Sequence, residues 1–353
     1  MNNRSTALAE KRNLNLDLAK LISCFAVVGL HTLKPELSVL NKVLYYLCGF
    51  AVPIFIMSSG FIVLHKKEIT LKYAVSKSLI ILRIVVIWSF LIWVIQCIQN
   101  FRNGTISPSI LLGFPKNIVK SLIQKGWLSH FWYLGAMILL YCIAILLHKM
   151  IKYNANTKDA QIKKTIMLWS IAAILSMMIQ LTSYIAKEPI QKLVIQTFRL
   201  WSWVQYFLLG ALMVYFIPKI TEKLSLKIHI VLLSIISAVS CAWQVIAGIP
   251  ILNDWRAEYF YDDGLFILWI CLLFSLLIRI PLSERIKKQV SILSPLTMGV
   301  YIVHQLLIKG AEHFITINHP AQAVLLWCGI LLLSFIVVYL IRKLPFGKYI
   351  ISL

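Results

Sequence analysis

A chain of 353 residues that is 60% hydrophobic and only 14% charged, with a mean hydropathy of +0.82, is not composed like a soluble domain, in which about a quarter of residues carry charge. Nor does a formal net charge of +22 mark a nucleic-acid-binding protein, because the cations are scattered between apolar runs and alternate in density from loop to loop. The composition fits one integral membrane domain covering residues 1–353, with the lipid bilayer as its partner and no nucleic acid.

Spanning hydrocarbon takes about 20 apolar residues. Ten runs qualify, near 14–33, 43–65, 78–99, 131–148, 166–185, 200–217, 228–248, 259–279, 292–310 and 321–342. The expected fold is therefore all-α, with ten transmembrane helices. If the N-terminus is cytoplasmic, the cytoplasmic segments carry 22 Lys and Arg against 11 in the external loops. That bias predicts that both termini are inside. The first run is long, contains Asp17 and Lys20 and lacks a small-residue cleavage site, so it does not read as a signal peptide. All seven cysteines fall inside apolar runs without metal-ligand spacing, so they read as structural, and no metal is expected.

Placing a charge near the bilayer centre costs about 2.5–3.5 kcal/mol, which makes polar residues inside these runs the first candidates for function. The first helix holds Asp17, Lys20 and His31. Eleven residues at 100° each make three turns plus about 20°, so Lys20 and His31 project from one face, about 16 Å apart along the axis. A site spanning the membrane would use such a stripe. An i,i+3 pair of Asp17 with Lys20, with His31 at the far interface, would account for the same residues.

In the second helix, Ser58-Ser59-Gly60-Phe61 permits close helix contact or backbone approach. Lys72, Lys77 and Arg83 precede or enter the third helix from the cytoplasmic side; they suit a phosphorylated donor or an ordinary positive-inside flank. The loop from about 100 to 130 contains Gly104, Pro108, Gly113 and Pro115, which break any long helix. Within it, Ile118, Val119, Leu122 and Ile123 oppose Lys120 and Gln124, the pattern of a short helix lying on the outer surface. His130 opens the fourth helix beside Trp132. An acidic external loop carries Asp254, Glu258, Asp262 and Asp263, and His304 follows Tyr301 in the ninth helix at a depth similar to that of His31. Each histidine alone reads as an interfacial, hydrogen-bonded group; their shared depth in the outer half weakens that reading without removing it.

Several stretches resemble acyltransferase family 3 of integral membrane acyltransferases: Leu16-Asp17-Leu18-Ala19-Lys20 through His31, Val52-Pro53-Ile54-Phe55 with Ser59-Gly60-Phe61, His130-Phe131-Trp132-Tyr133-Leu134, and Met298-Gly299-Val300-Tyr301-Ile302-Val303-His304. The succession, more than any one motif, carries the resemblance over nearly the whole chain. The short length and the absence of a fused domain are similar to family members that O-acetylate a surface antigen. The resemblance implies acetyl-CoA as donor substrate, no permanently bound cofactor, and a cell-envelope carbohydrate as acceptor in the bacterial inner membrane. It assigns His31 and the basic residue before it, Lys20, to catalysis. Lys20 stands where many members have arginine, and of the family's paired arginines at the third helix only Arg83 is kept, the other position being Ile80.

On this reading Lys20, Arg83, Lys77 and Ser59 serve the donor, and His31 acts as general base on a sugar hydroxyl. Asp17 lies too far below His31 to orient it; Tyr301, His304 or the Asp262/Asp263 pair are better placed in depth, with His130 and Trp132 in support. The rival reading is a transporter or flippase for a carbohydrate or lipid-linked sugar using the same polar path. Against it, the sequence shows no internal repeat and no paired Gly/Pro-broken helices.

Overall fold

The long apolar runs start at polar side chains that cap them. Asn13, Ser38, Thr70, Thr157, Ser225, Asp263 and Ser283 each accept a hydrogen bond from backbone N–H groups of the first helical turn. The computed structural model describes residues 12–105, 108–111 and 113–352, and no strand occurs among them. The principal helices are α1 (Leu14–Thr32), α2 (Val39–Leu47), α3 (Ala51–Val63), α4 (Leu71–Arg102), α5 (Phe114–Leu122), α6 (Trp132–Lys152), α7 (Lys158–Ala186), α8 (Leu200–Lys223), α9 (Leu226–Ala247), α10 (Gly264–Arg279), α11 (Glu284–Leu293), α12 (Thr297–Glu312), α13 (Pro320–Lys343) and α14 (Gly347–Ile351).

Among the described residues nine helical segments are long and apolar enough to cross a membrane: α1, α2–α3, α4, α6, α7, α8, α9, α11–α12 and α13. The eighth expected span, 259–279, is the exception, and its helix is shorter than the apolar run. Ala257–Phe260 forms a 3-10 turn, and α10 itself has 16 residues. The third runs the other way, with 32 residues instead of the 22 between 78 and 99, because Thr70 caps it early.

Two spans are interrupted, where no paired Gly/Pro-broken helices were expected from the sequence. Cys48–Phe50 between α2 and α3, and Ser294–Leu296 between α11 and α12, are 3-10 turns. Gly49 and Pro295 sit inside apolar runs, where hydropathy does not register a one-turn change of helical pitch. The backbone continues helically on either side of both.

α1 lies in the middle of the fold, packed against α3, α10, α11, α12 and α13. Half of its ten buried residues are small (Ala19, Ser23, Cys24, Ala26 and Gly29), so neighbours approach closely there. A Cβ at Gly29 would come within 2.7 Å of the Cys48 sulfur. The tightest crossing joins α3 to α8, where Gly60 meets the Phe207 backbone and Gly210 meets the Met57 backbone. The small-residue face of the second helix is thus used for backbone contact. By contrast α13 is buried over only 17% of its apolar window, against 67% for α2–α3 and for α8, and presents most of its surface outward.

α5 forms where a short helix was expected, with Ile118 and Leu122 packed against the core. Ser121 is its buried residue and Val119 is 58% exposed, while α4 and α6 pack against it. Gln124, expected on the polar face, turns inward at a left-handed φ of +61°.

Candidate active site

Lys20 and His31 share a stripe of α1, and each opens into a different cavity. At the N-terminal end of α1, Lys20 lines a cavity of about 520 Å³ with Arg12, Asp17, Ser59, Lys77 and Tyr301. Near its C-terminal end, exposed His31 lines a second cavity of about 330 Å³ with His130, Trp132, Glu258 and three glutamines. Between them lies an aromatic layer: Phe55 sits 6.0 Å from Tyr133, Tyr133 5.7 Å from Tyr301, and Tyr301 5.4 Å from His130, ring centre to ring centre.

Three histidines meet on the His31 side of that layer. The His31 ring is 5.4 Å from His304, and His304 is 5.4 Å from His130. They come from α1, from α12 and from the turn Ser129–Phe131 before α6. His304 Nδ1 lies 3.1 Å from the Val300 carbonyl, and His130 Nε2 lies 3.2 Å from the Ile302 carbonyl. A carbonyl only accepts, so those nitrogens carry the ring protons. The lone pairs then reside on His304 Nε2 and His130 Nδ1, both buried without a hydrogen-bond partner among the described residues. Tyr301 donates its hydroxyl to the His130 carbonyl. Thus α12 fixes His130 from both sides, and the His304 ring next to His31 keeps an unused lone pair.

The first cavity has a different electrostatic character. Asp17 is engaged by Arg12, Nε to Oδ2 2.7 Å, so the i,i+3 pair with Lys20 is not formed. Lys20 and Lys77 make no ion pair among the described residues, which leaves two uncompensated ammonium groups facing one cavity. Such a site attracts an anion. Ser59 also faces it, with its hydroxyl donating to the Phe55 carbonyl at 3.1 Å.

Two groups of expected site residues are placed elsewhere. Arg83 does not line the Lys20 cavity; it faces a shallow groove with Lys72. Its Nη2 donates to the Ser352 carbonyl at 3.0 Å and its guanidinium stacks on Tyr349. The C-terminal segment, which returns beside α4, occupies it, although Ser352 itself reaches the Lys20 cavity. Asp262 and Asp263 do not orient His31. Asp262 accepts from Ser202 Oγ at 2.5 Å and Trp201 Nε1 at 3.0 Å; Asp263 caps α10 and accepts from Tyr184 at 2.5 Å and Trp243 at 3.0 Å. Both carboxylates are consumed in holding helices together. Trp132 stacks on Trp203 at 5.3 Å and forms a wall of the His31 cavity.

Sequence reasoning missed Gln124, Gln196, Gln305, Trp255, Arg256 and Glu258, all of which line the His31 cavity. Gln305 follows His304 directly and Glu258 lies in the acidic loop, so both had a signal. Gln124 and Gln196 had none, because no local pattern turns a loop amide inward.

The family model of the acyltransferase domain matches residues 13–343, which includes all of these groups except Arg12, Tyr349 and Ser352. The protein belongs to acyltransferase family 3. Among curated proteins and solved structures, none matches the chain. As a membrane acyltransferase, it must bring a donor and a hydroxylic or other nucleophilic acceptor to one point, and α1 is the helix along which both cavities open.

Proposed function

We propose that this acyltransferase transfers an acetyl group from acetyl-CoA to a hydroxyl of a cell-surface polysaccharide or lipid-linked sugar in the bacterial inner membrane. The observation that carries this reading is the position of His31: an imidazole in contact with His304, on the helix that also presents Lys20, without an ion pair among the described residues, to a separate cation-rich cavity. With both termini cytoplasmic, the Lys20 cavity faces the cytoplasm, where acetyl-CoA is available.

In this reading Lys20 and Lys77 hold donor phosphates as point charges, and Arg12 is the third cation of the cavity. The pantetheine arm passes the Phe55–Tyr133–Tyr301 layer and brings the thioester to His31. Neutral His31 takes the proton of the acceptor hydroxyl as its oxygen attacks the thioester carbonyl. The new C–O bond forms, the C–S bond breaks, and the CoA thiolate leaves with the proton that His31 releases. His304 lends a lone pair to the transient imidazolium. Trp132 and His130 wall the acceptor side, and Asp17 keeps Arg12 in place.

Purified protein in nanodiscs, given labelled acetyl-CoA and a mixed glycan acceptor, should label glycan. His31→Ala should reduce that transfer by at least about 100-fold, the lower end of general-base contributions, with unchanged thermal unfolding. Undiminished transfer would reject the base. Sugar crossing vesicle membranes without CoA release would instead support a transporter.

A further inference from the structure

The His31 cavity contains a rigid polar cluster that the transfer step itself does not use. Glu258 Oε1 accepts from Arg199 Nη1 at 3.3 Å, and Glu258 Oε2 accepts from the Gln196 side-chain amide. The Arg199 side chain is 5% exposed and also donates Nε to the Val194 carbonyl at 2.9 Å. Gln196 is buried, and its Oε1 has no partner among the described residues. Gln124 accepts from the Gln196 backbone N–H at 3.0 Å, which leaves its own NH₂ group as a donor. It holds the left-handed conformation that a non-glycine residue adopts at some energetic cost. Strain, an unpartnered buried carbonyl and a carboxylate all at one wall describe a prepared surface, not a packed core.

The charges of that wall cancel. Arg199 pairs with Glu258, and Arg256 lies 3.8 Å from Asp254 while donating to the Tyr259 hydroxyl at 3.0 Å. Among the described residues no uncompensated cation lines this wall to receive an anionic ligand, and a carboxylated one would meet Glu258. A carboxylate has about four lone-pair sites, of which two are used here. The remaining two suit paired hydroxyl donors. The indoles of Trp132 and Trp255 offer flat faces to an apolar ring surface, and Trp132 is immobilised by its stack on Trp203. A volume of about 330 Å³ lies within the range of small-molecule sites.

Building on the acyl-transfer reading above, we propose that Glu258, held by Arg199 and Gln196, is the acceptor-binding residue of a subsite for an uncharged sugar, and that it accepts hydrogen bonds from neighbouring hydroxyls to select which one meets His31. Gln124 and Gln305 donate to the ring substituents, and Trp255 closes the mouth over the ring.

The test uses full-length protein in nanodiscs with labelled acetyl-CoA and three probes: methyl β-D-glucoside, methyl N-acetyl-β-D-glucosaminide and methyl β-D-glucuronide. Acetyl-CoA consumption and labelled glycoside are followed separately. The neutral glycosides should receive label and the glucuronide should not. Glu258→Gln should raise the KM for a neutral glycoside at least about tenfold, as loss of a charged hydrogen-bond acceptor predicts, while the acetyl-CoA KM stays within about twofold. Should Glu258→Gln fail to fold with Arg199 unpaired, Trp255→Ala decides, because this side chain is 38% exposed. It should raise acceptor KM alone. Preference for the glucuronide, acetyl-CoA consumption with no label in either neutral glycoside, or an unchanged acceptor KM in the folded variants overturns the subsite. Failure of the wild type to consume acetyl-CoA overturns the acetyl-CoA reading itself, and the subsite falls with it.

Discussion

Replacing Gly60 by alanine tests whether the α3–α8 crossing holds the site together. A Cβ at this position would stand 1.9 Å from the Phe207 carbonyl oxygen, and real Cβ atoms do not come within 3.0 Å of such a neighbour. The helices must therefore part by about 1.1 Å, the difference of these two distances. The obstacle is backbone, so no side-chain rotation relieves it. A radial gap of about 0.5–1 Å forfeits a quarter to a half of each dispersion well. That loss would run along an interface including Ile54, Met57, Phe61, Tyr206 and Phe207, all buried. In lipid, packing of this kind is the main attraction between helices. Overpacking costs about 3 kcal/mol at its upper common range, and the helix propensity gained by alanine offsets about 1 kcal/mol. The expected net loss is about 2 kcal/mol, or a fall in melting temperature of roughly 3 °C for a chain of this length. Intrinsic tryptophan fluorescence during thermal unfolding in nanodiscs measures it. Gly329→Ala is the control, since nothing lies within 4 Å of its Cβ, and it should be neutral or slightly stabilising. If Gly60→Ala melts with the wild type, the close crossing is not what stabilises the bundle.

Lys20→Ala should raise the acetyl-CoA KM about 10- to 100-fold, the value of one charged contact, and Lys20→Arg should recover most of it; steady-state kinetics at fixed acceptor distinguish these outcomes. Asp262→Ala should destabilise by roughly 2–4 kcal/mol, because Ser202 and Trp201 lose their acceptor, yet leave the acetyl-CoA KM unchanged in the folded fraction. Burial raises the Glu258 carboxyl above its ordinary value, against the pull of Arg199 and Arg256. As pH falls through that raised value the carboxylate gains a proton and loses acceptor capacity. kcat/KM for the glycan should therefore decline on the acid side at a higher pH than a solvent-exposed carboxylate would give, and Glu258→Gln should remove that limb.

The parts of this protein legible in its sequence are those set by local periodicity and solvent preference. Apolar length fixed the membrane class and nearly all the helices, and 100° per residue placed Lys20 and His31 on one stripe before any neighbour was known. The two 3-10 interruptions, the short α10 and the capture of Arg83 by Ser352 escaped, because each depends on a single turn or on a partner more than 250 residues away. Likewise Asp262 and Asp263 are engaged by Ser202, Trp201, Tyr184 and Trp243. The tertiary structure alone decided that His31, His130 and His304 meet, that Asp17 answers Arg12 instead of Lys20, and that Glu258 joins the far cavity. The physical reason lies in the solvent: lipid and protein interior are equally apolar, so hydropathy marks which residues leave water but not which helix faces will turn towards each other.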